Sequence, residues 1–149
     1  SLIFMKKIGD LTAKRSDGKA LESEKRTSEE TDLLEPIKEE VFINHIKGPL
    51  FFGSTSEFQA LMDDIPNSAT TIILRMGRMQ YIDQSGLYVL EDSLAKLVKE
   101  NKRILLVDVL EQPKYLLERI DIIPDLVSRE QIFEEFEDSV AWIRKNPIK

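Results

Sequence analysis

The chain has 149 residues, 42% hydrophobic and 32% charged, with a net charge of −6. That composition suits one globular domain of ordinary size plus a tail, and the acidic balance disfavours a general nucleic-acid binder. With no cysteine, a disulfide framework, a zinc–thiolate centre and a thiol nucleophile are excluded, and no run approaches the roughly 18–20 apolar residues of a membrane span.

In chain order, Ser1-Leu2-Ile3-Phe4-Met5 is followed by Lys6 and Lys7. Apolar residues closing on a basic pair match the cytoplasmic exit of a membrane span, and a frayed terminus is the plain alternative. Residues 1–7 are therefore expected to be the end of a membrane segment or a juxtamembrane stub. Residues 8–39 are expected to be a flexible charged linker. Between Thr12 and Asp32 only Ala13, Ala20 and Leu21 are apolar, too little to offset ordering entropy. Ser28-Glu29-Glu30-Thr31 is weakly cap-like within it.

The folded domain is expected over 40–146. Phe42 to Ile46 alternates and is rich in β-formers, so it reads as a strand. Lys47-Gly48-Pro49 marks a turn, and Leu50-Phe51-Phe52 reads as a second short strand, the pair forming a hairpin. A Ser/Thr-rich cap at Gly53–Glu57 opens a helix with Phe58, Leu61 and Met62 on its face, ended by Pro66-Asn67-Ser68. The next strand covers 70–76. A long helix follows from Ser85 to Asn101, with Leu87, Leu90, Leu94, Leu97 and Val98 in one apolar stripe. Arg103 to Val109 is nearly continuously apolar, as a buried parallel strand is. Gln112-Pro113 opens another helix with Leu116, Leu117 and Ile120 inward. Ile122-Ile123-Pro124-Asp125 is a connector that touches the core, and the last helix runs from Gln131 to Lys145 with Ile132, Phe133, Phe136, Val140 and Ile143 as its stripe. Single helices between strands imply right-handed crossovers and a mostly parallel sheet.

The search for chemistry mostly excludes it. His45 is the lone histidine, with no second ligand or nucleophile beside it in sequence, and reads as structural. Gly is missing two residues before Ser85, where Asp83 stands, so there is no Gly-x-Ser-x-Gly elbow. Neither a P-loop nor a Gly-x-Gly-x-x-Gly loop is present. No catalytic residue, metal site or cofactor is assigned. Arg75 and Arg78 flank the end of the central strand and read either as surface charge or as an anion- or partner-attracting rim beside the following turn. That turn is Asp83-Gln84-Ser85-Gly86. Asp83 as N-cap accepts from the N–H of Ser85 or Gly86. Ser85 then lies in the first helical turn near the positive end of the helix dipole, and Gly86 allows close packing.

After a strand, Asp83-Gln84-Ser85-Gly86-Leu87 resembles the Asp-x-Ser/Thr-Gly signature of STAS domains, the sulfate-transporter and anti-sigma-factor-antagonist modules. The resemblance extends over residues 38–146. It is narrowest toward the cytoplasmic C-terminal domain of bacterial sulfate permease (SulP) anion transporters, carried by Phe4-Met5-Lys6-Lys7, by Ile46 to Gly53, and by Arg75-Met76 through Tyr81-Ile82-Asp83. It implies an α/β fold, a mixed, mostly parallel four- to five-stranded sheet packed against about four helices. It implies a non-enzymatic regulatory or assembly role at the cytoplasmic face of the inner membrane, for a transporter of sulfate, bicarbonate or dicarboxylates. The implied partners are the transmembrane domain of the same transporter and a cytoplasmic regulatory protein or a nucleotide, with oligomerisation through the full-length transporter. Ser85 matches the phosphoacceptor position of free-standing antagonists, the alternative reading. Gln84 departs from the Asp-Ser-Ser-Gly form of some antagonists, which favours the transporter.

Overall fold

A computed structural model of the chain describes residues 20–148. Its sheet is built in the order β1 (Glu22–Glu24), β2 (Val41–Lys47), β3 (Thr71–Arg78), β4 (Arg103–Val107) and β5 (Ile132–Phe133), with each strand beside its sequence neighbour. Only β1 is antiparallel; β2 to β5 are parallel. The helices are α1 (Ser28–Leu34), α2 (Thr55–Asp63), α3 (Gln84–Lys99), α4 (Glu111–Arg119), α5 (Ile122–Asp125) and α6 (Phe136–Lys145).

The period of two in β2, β3 and β4 splits their side chains between two apolar layers. Ile72, Leu74 and Met76 of β3, with Ile104 and Leu106 of β4, point into a large cluster that includes Phe58 of α2 and Leu87, Leu90, Leu94 and Leu97 of α3. Ile73 with Leu105 and Val107 points the other way, into a smaller cluster closed by Leu34 of α1 and Phe136, Val140 and Ile143 of α6. Each fully buried Leu or Ile contributes about 1.5–3 kcal/mol. The α3 stripe read from sequence is thus the core-facing side, while Val98 at its end is exposed.

Three expectations are corrected. Residues 20–39, placed in a flexible linker, carry β1 and α1. α1 is opened by a capping box in which Thr27 accepts from the Glu30 N–H and Glu30 accepts from the Thr27 N–H. Its order comes from polar contacts, described below, together with burial of Leu34 in the smaller cluster. Leu50-Phe51-Phe52 forms no strand and no hairpin. Leu50 alone makes a parallel bridge, to Ile82, and Phe52–Ser54 is a 3-10 turn. Ile132 and Phe133 leave the expected last helix to form β5, because the Asp108 N–H donates to the Phe133 carbonyl and draws that segment onto the sheet. Residues 1–7 and 8–19 lie outside the described residues. Among the described residues no helix is long and apolar enough to cross a membrane.

β1 brings the chain in at the end of the sheet where the parallel strands terminate, since Glu22 pairs with Lys47. Gly48 follows at φ +110°, and a Cβ there would lie 2.3 Å from the Ala20 carbonyl oxygen. A side chain at position 48 is thus barred both by backbone conformation and by the incoming chain.

Candidate functional site

The turn after β3 is held from three sides. On the first, Leu50 donates its N–H to the Tyr81 carbonyl at 2.9 Å, and the Asp83 N–H donates to the Leu50 carbonyl at 3.0 Å. On the second, the Gln112 amide clasps Ile82 as a strand would. The Ile82 N–H donates to its Oε1 and its Nε2 donates to the Ile82 carbonyl, each at 2.9 Å. On the third, Asp83 caps α3, its Oδ1 accepting the Gly86 N–H at 2.8 Å while its Oδ2 accepts the Phe52 N–H at 3.2 Å. Gly86 is required by the first of these contacts, since a Cβ there would stand 2.3 Å from the Leu50 carbonyl oxygen.

Each oxygen of Asp83 therefore accepts from a backbone donor, which makes it the cap of α3 and a tie to the Phe52 backbone. Ser85 is half-buried in the first turn of α3, and among the described residues its hydroxyl forms no hydrogen bond. Gln84 is exposed and donates to the Tyr88 hydroxyl at 2.9 Å. Around the turn, Phe52 is 77% exposed, and Tyr81, Tyr88 and Tyr115 are exposed as well. Aromatic side chains carried outward on pinned backbone are what contact surfaces use. Phe52 and Gln112 are the residues that sequence reading missed. Phe52 was placed in a strand, and no local pattern announces that Gln112 reaches back thirty residues to Ile82.

Arg75 and Arg78 do not rim this turn. Arg75 shares its side of β3 with Ile73, on the face away from α3, as strand alternation requires. It donates to Glu30 of α1 at 2.6 Å, and its guanidinium stands 5.0 Å over the Phe136 ring of α6. His45, opposite Arg75 on β2, donates from Nε2 to the same Glu30 oxygen at 2.8 Å. Glu30 is only 2% exposed. Burial, the strongest single influence on its carboxyl, pushes the pKa up. The hydrogen bonds from the Thr27 N–H, His45 and Arg75 together outweigh burial and hold the group below its ordinary value. This cluster gives His45 a structural partner and orders α1 in a stretch poor in apolar residues. Arg78 lies opposite Lys47 across a register shift between β2 and β3. Among the described residues, no group of three His, Asp or Glu side chains is placed to hold a metal ion.

The family model of the STAS domain matches residues 34–139. Over 75 residues, half of the chain, the sequence is 33% identical to "Putative sulfate transporter YvdB" of Bacillus subtilis (strain 168), and that match spans 14% of the relative's length. A solved sulfate transporter family protein from Wolinella succinogenes aligns with a TM-score of 0.61 and 27% identity, over 70% of this chain and 85% of that one. The anti-sigma factor antagonist SpoIIAA in its unphosphorylated form aligns at 0.59 with 14% identity, over 83% and 97%, a likeness of fold alone. A five-stranded mixed sheet, a capped Asp83–Gly86 turn at its end and a family match over most of the folded region agree, and the chain belongs to the STAS domain family.

Proposed function

We propose that this chain is the non-catalytic regulatory and assembly domain of a bacterial SulP-type secondary anion transporter, docking on its own membrane domain at the cytoplasmic face through the tip around Asp83–Gly86. The observation that carries the reading is placement. Ala20 lies beside Gly48, so the chain enters at the same end of the sheet as the turn and its exposed aromatic residues. A membrane domain attached from that side meets Phe52, Tyr81, Tyr88 and Tyr115 without a long tether. Among the described residues the Ser85 hydroxyl has no hydrogen-bonded base and each Asp83 oxygen accepts a backbone N–H, which supports contact rather than chemistry. The anion handled, whether sulfate, bicarbonate or a dicarboxylate, belongs to the membrane part of such a protein.

The test is the reading frame before Ser1 together with co-purification. A frame encoding about ten or more hydrophobic spans of roughly 20 residues, whose membrane part expressed as a separate chain retains this one and loses it on Phe52→Ala/Tyr81→Ala, supports the proposal. A frame without such spans sinks it.

One observation favours a second reading, a free-standing antagonist-like switch. Among the described residues the Ser85 hydroxyl has no hydrogen-bond partner in the first turn of α3, where a phosphate would add about −1.5 to −2 charges beside Asp83. Incubation with candidate kinases, read by mass, together with a partner pull-down on Ser85→Asp, separates the two. No mass shift and no change in partner binding removes this reading.

A further inference from the structure

The two arginines that the sequence placed at the turn line a cavity on the other face of the sheet. Its volume is about 250 Å3, and it lies at the ends of β2, β3 and β4. His45, Lys47, Arg75 and Arg78 bring nitrogen groups to its wall, and Glu24 and Asp108 bring carboxylates. Most of these charges are already matched. Lys47 pairs with Glu24 at 2.5 Å, and Arg75 with Glu30 at 2.6 Å. Among the described residues Arg78 has no carboxylate within 4 Å and Asp108 has no cation within 4 Å.

Asp108 is held there by the backbone. It sits at φ +60° just after β4, with its N–H donating to the Phe133 carbonyl at 2.8 Å. A Cβ on Gly77 would stand 2.3 Å from its Oδ2, so glycine at 77 is what makes room for the carboxylate. Among the described residues the wall thus carries, on adjacent strand ends, a guanidinium and a carboxylate with no oppositely charged group within 4 Å, and the ammonium of Lys47.

A fully deprotonated anion satisfies the guanidinium but meets Asp108 with like charge. A ligand with acceptor oxygens on one side and a hydroxyl on the other satisfies both. We propose that this cavity binds a small oxyanion that still carries an O–H, such as hydrogen phosphate or bicarbonate, and rejects sulfate. Arg78 and Lys47 donate to its oxygens, and its hydroxyl donates to Asp108. Discrimination comes from the repulsive element, because sulfate at neutral pH has no proton to offer the carboxylate. The volume lies below the ~300 Å3 at which pockets for drug-sized ligands begin, which suits a small ion. The site lies on the face opposite the turn and does not depend on the transporter reading.

The 149-residue chain is titrated with sodium phosphate, sodium sulfate and sodium chloride at matched ionic strength and pH 7.5, followed by amide resonances. Phosphate is expected to give saturable shifts confined to residues 45–47, 75–78 and 108, with sulfate at least about tenfold weaker and chloride without effect. AMP, whose phosphate ester has largely lost its last proton at pH 7.5, is expected to bind no more tightly than sulfate. Arg78→Ala is expected to weaken phosphate about tenfold. Asp108→Asn is expected to collapse the preference of phosphate over sulfate. Gly77→Ala, which drives the Asp108 carboxylate from its place, is expected to do the same, so the outcome does not hang on one variant. Equal responses to phosphate and sulfate, shifts centred on residues 83–86, or an unchanged preference in a folded Asp108→Asn protein each overturn the proposal.

Discussion

The two faces of the sheet are stabilised by different physics. The face under the turn is a continuous apolar cluster, in which Phe58, Leu90 and Leu94 are fully enclosed, and the turn is secured above it by backbone hydrogen bonds. The opposite face has a smaller apolar cluster and is fastened at both ends of the strands by charge. Glu30 gathers His45 and Arg75 at one end. At the other, Glu39 gathers Arg103, Thr70 and Thr71, with Arg103 5.0 Å over the Trp142 ring. The difference teaches where each kind of element can be attached. Long amphipathic helices such as α3 hold themselves down by area, whereas α1, with seven residues, adds a buried carboxylate to the one buried Leu34.

The sharpest way to break the comparison is to remove bulk from the first face. Phe58→Ala is expected to cost about 3–5 kcal/mol in urea unfolding with little dependence on salt, since it leaves a cavity in the larger cluster. A loss under about 1 kcal/mol would mean that the first face is not the dominant one. On the second face, Arg75→Ala is expected to cost about 3 kcal/mol, the lower end for a buried pair because its side chain is partly exposed. Amide exchange should show the loss concentrated in residues 20–34, and uniform loss across the sheet would contradict a local latch.

Acid tests the same latch. Because the folded Glu30 carboxyl lies below its ordinary value, its contribution is complete above about pH 4.3 and is lost as pH falls from there through the lowered value. Glu30→Gln should therefore flatten the acid limb of the stability profile between roughly pH 5 and 3, the range in which carboxylates titrate. A limb as steep as that of the unaltered chain would refute the assignment.

Smaller effects sharpen the role of the turn. Gly86→Ala is expected to cost about 1–3 kcal/mol, as the added Cβ pushes against the Leu50 backbone. Ser85→Ala should change stability by no more than about 0.5 kcal/mol, its hydroxyl having no partner among the described residues. Any larger effect of Ser85→Ala on partner binding than on unfolding then reports a contact role.

Legibility in the sequence followed the same division. β2 and α3 were readable because their apolar residues repeat with the period of the element, β3 and β4 because their apolar runs are nearly continuous, and Asp83 was readable as a cap because capping is local. α1 was not, because its order depends on His45 and Arg75, fifteen and forty-five residues further along. Thr27-Ser28-Glu29-Glu30 does carry the capping-box spacing, one residue before the stretch that looked cap-like. Leu50-Phe51-Phe52 misled because strong β-formers were present but only Leu50 found a pairing partner. Alternation along β3 was enough to put Arg75 on the face away from α3, and that signal was available in Ile72, Leu74 and Met76.

β1 runs against β2 and its first residues lie at the sheet end that carries the turn. Tension reaching Ala20 from the preceding chain draws β1 lengthwise along its neighbour, so the ladder is loaded in shear and its bonds share the force. Three residues form a short fuse, and the Glu30 contacts form a second stop behind it. The parallel strands carry no load until both have slipped. A pull on Ala20 is thus expected to strip β1, paired over three residues, before the parallel strands part.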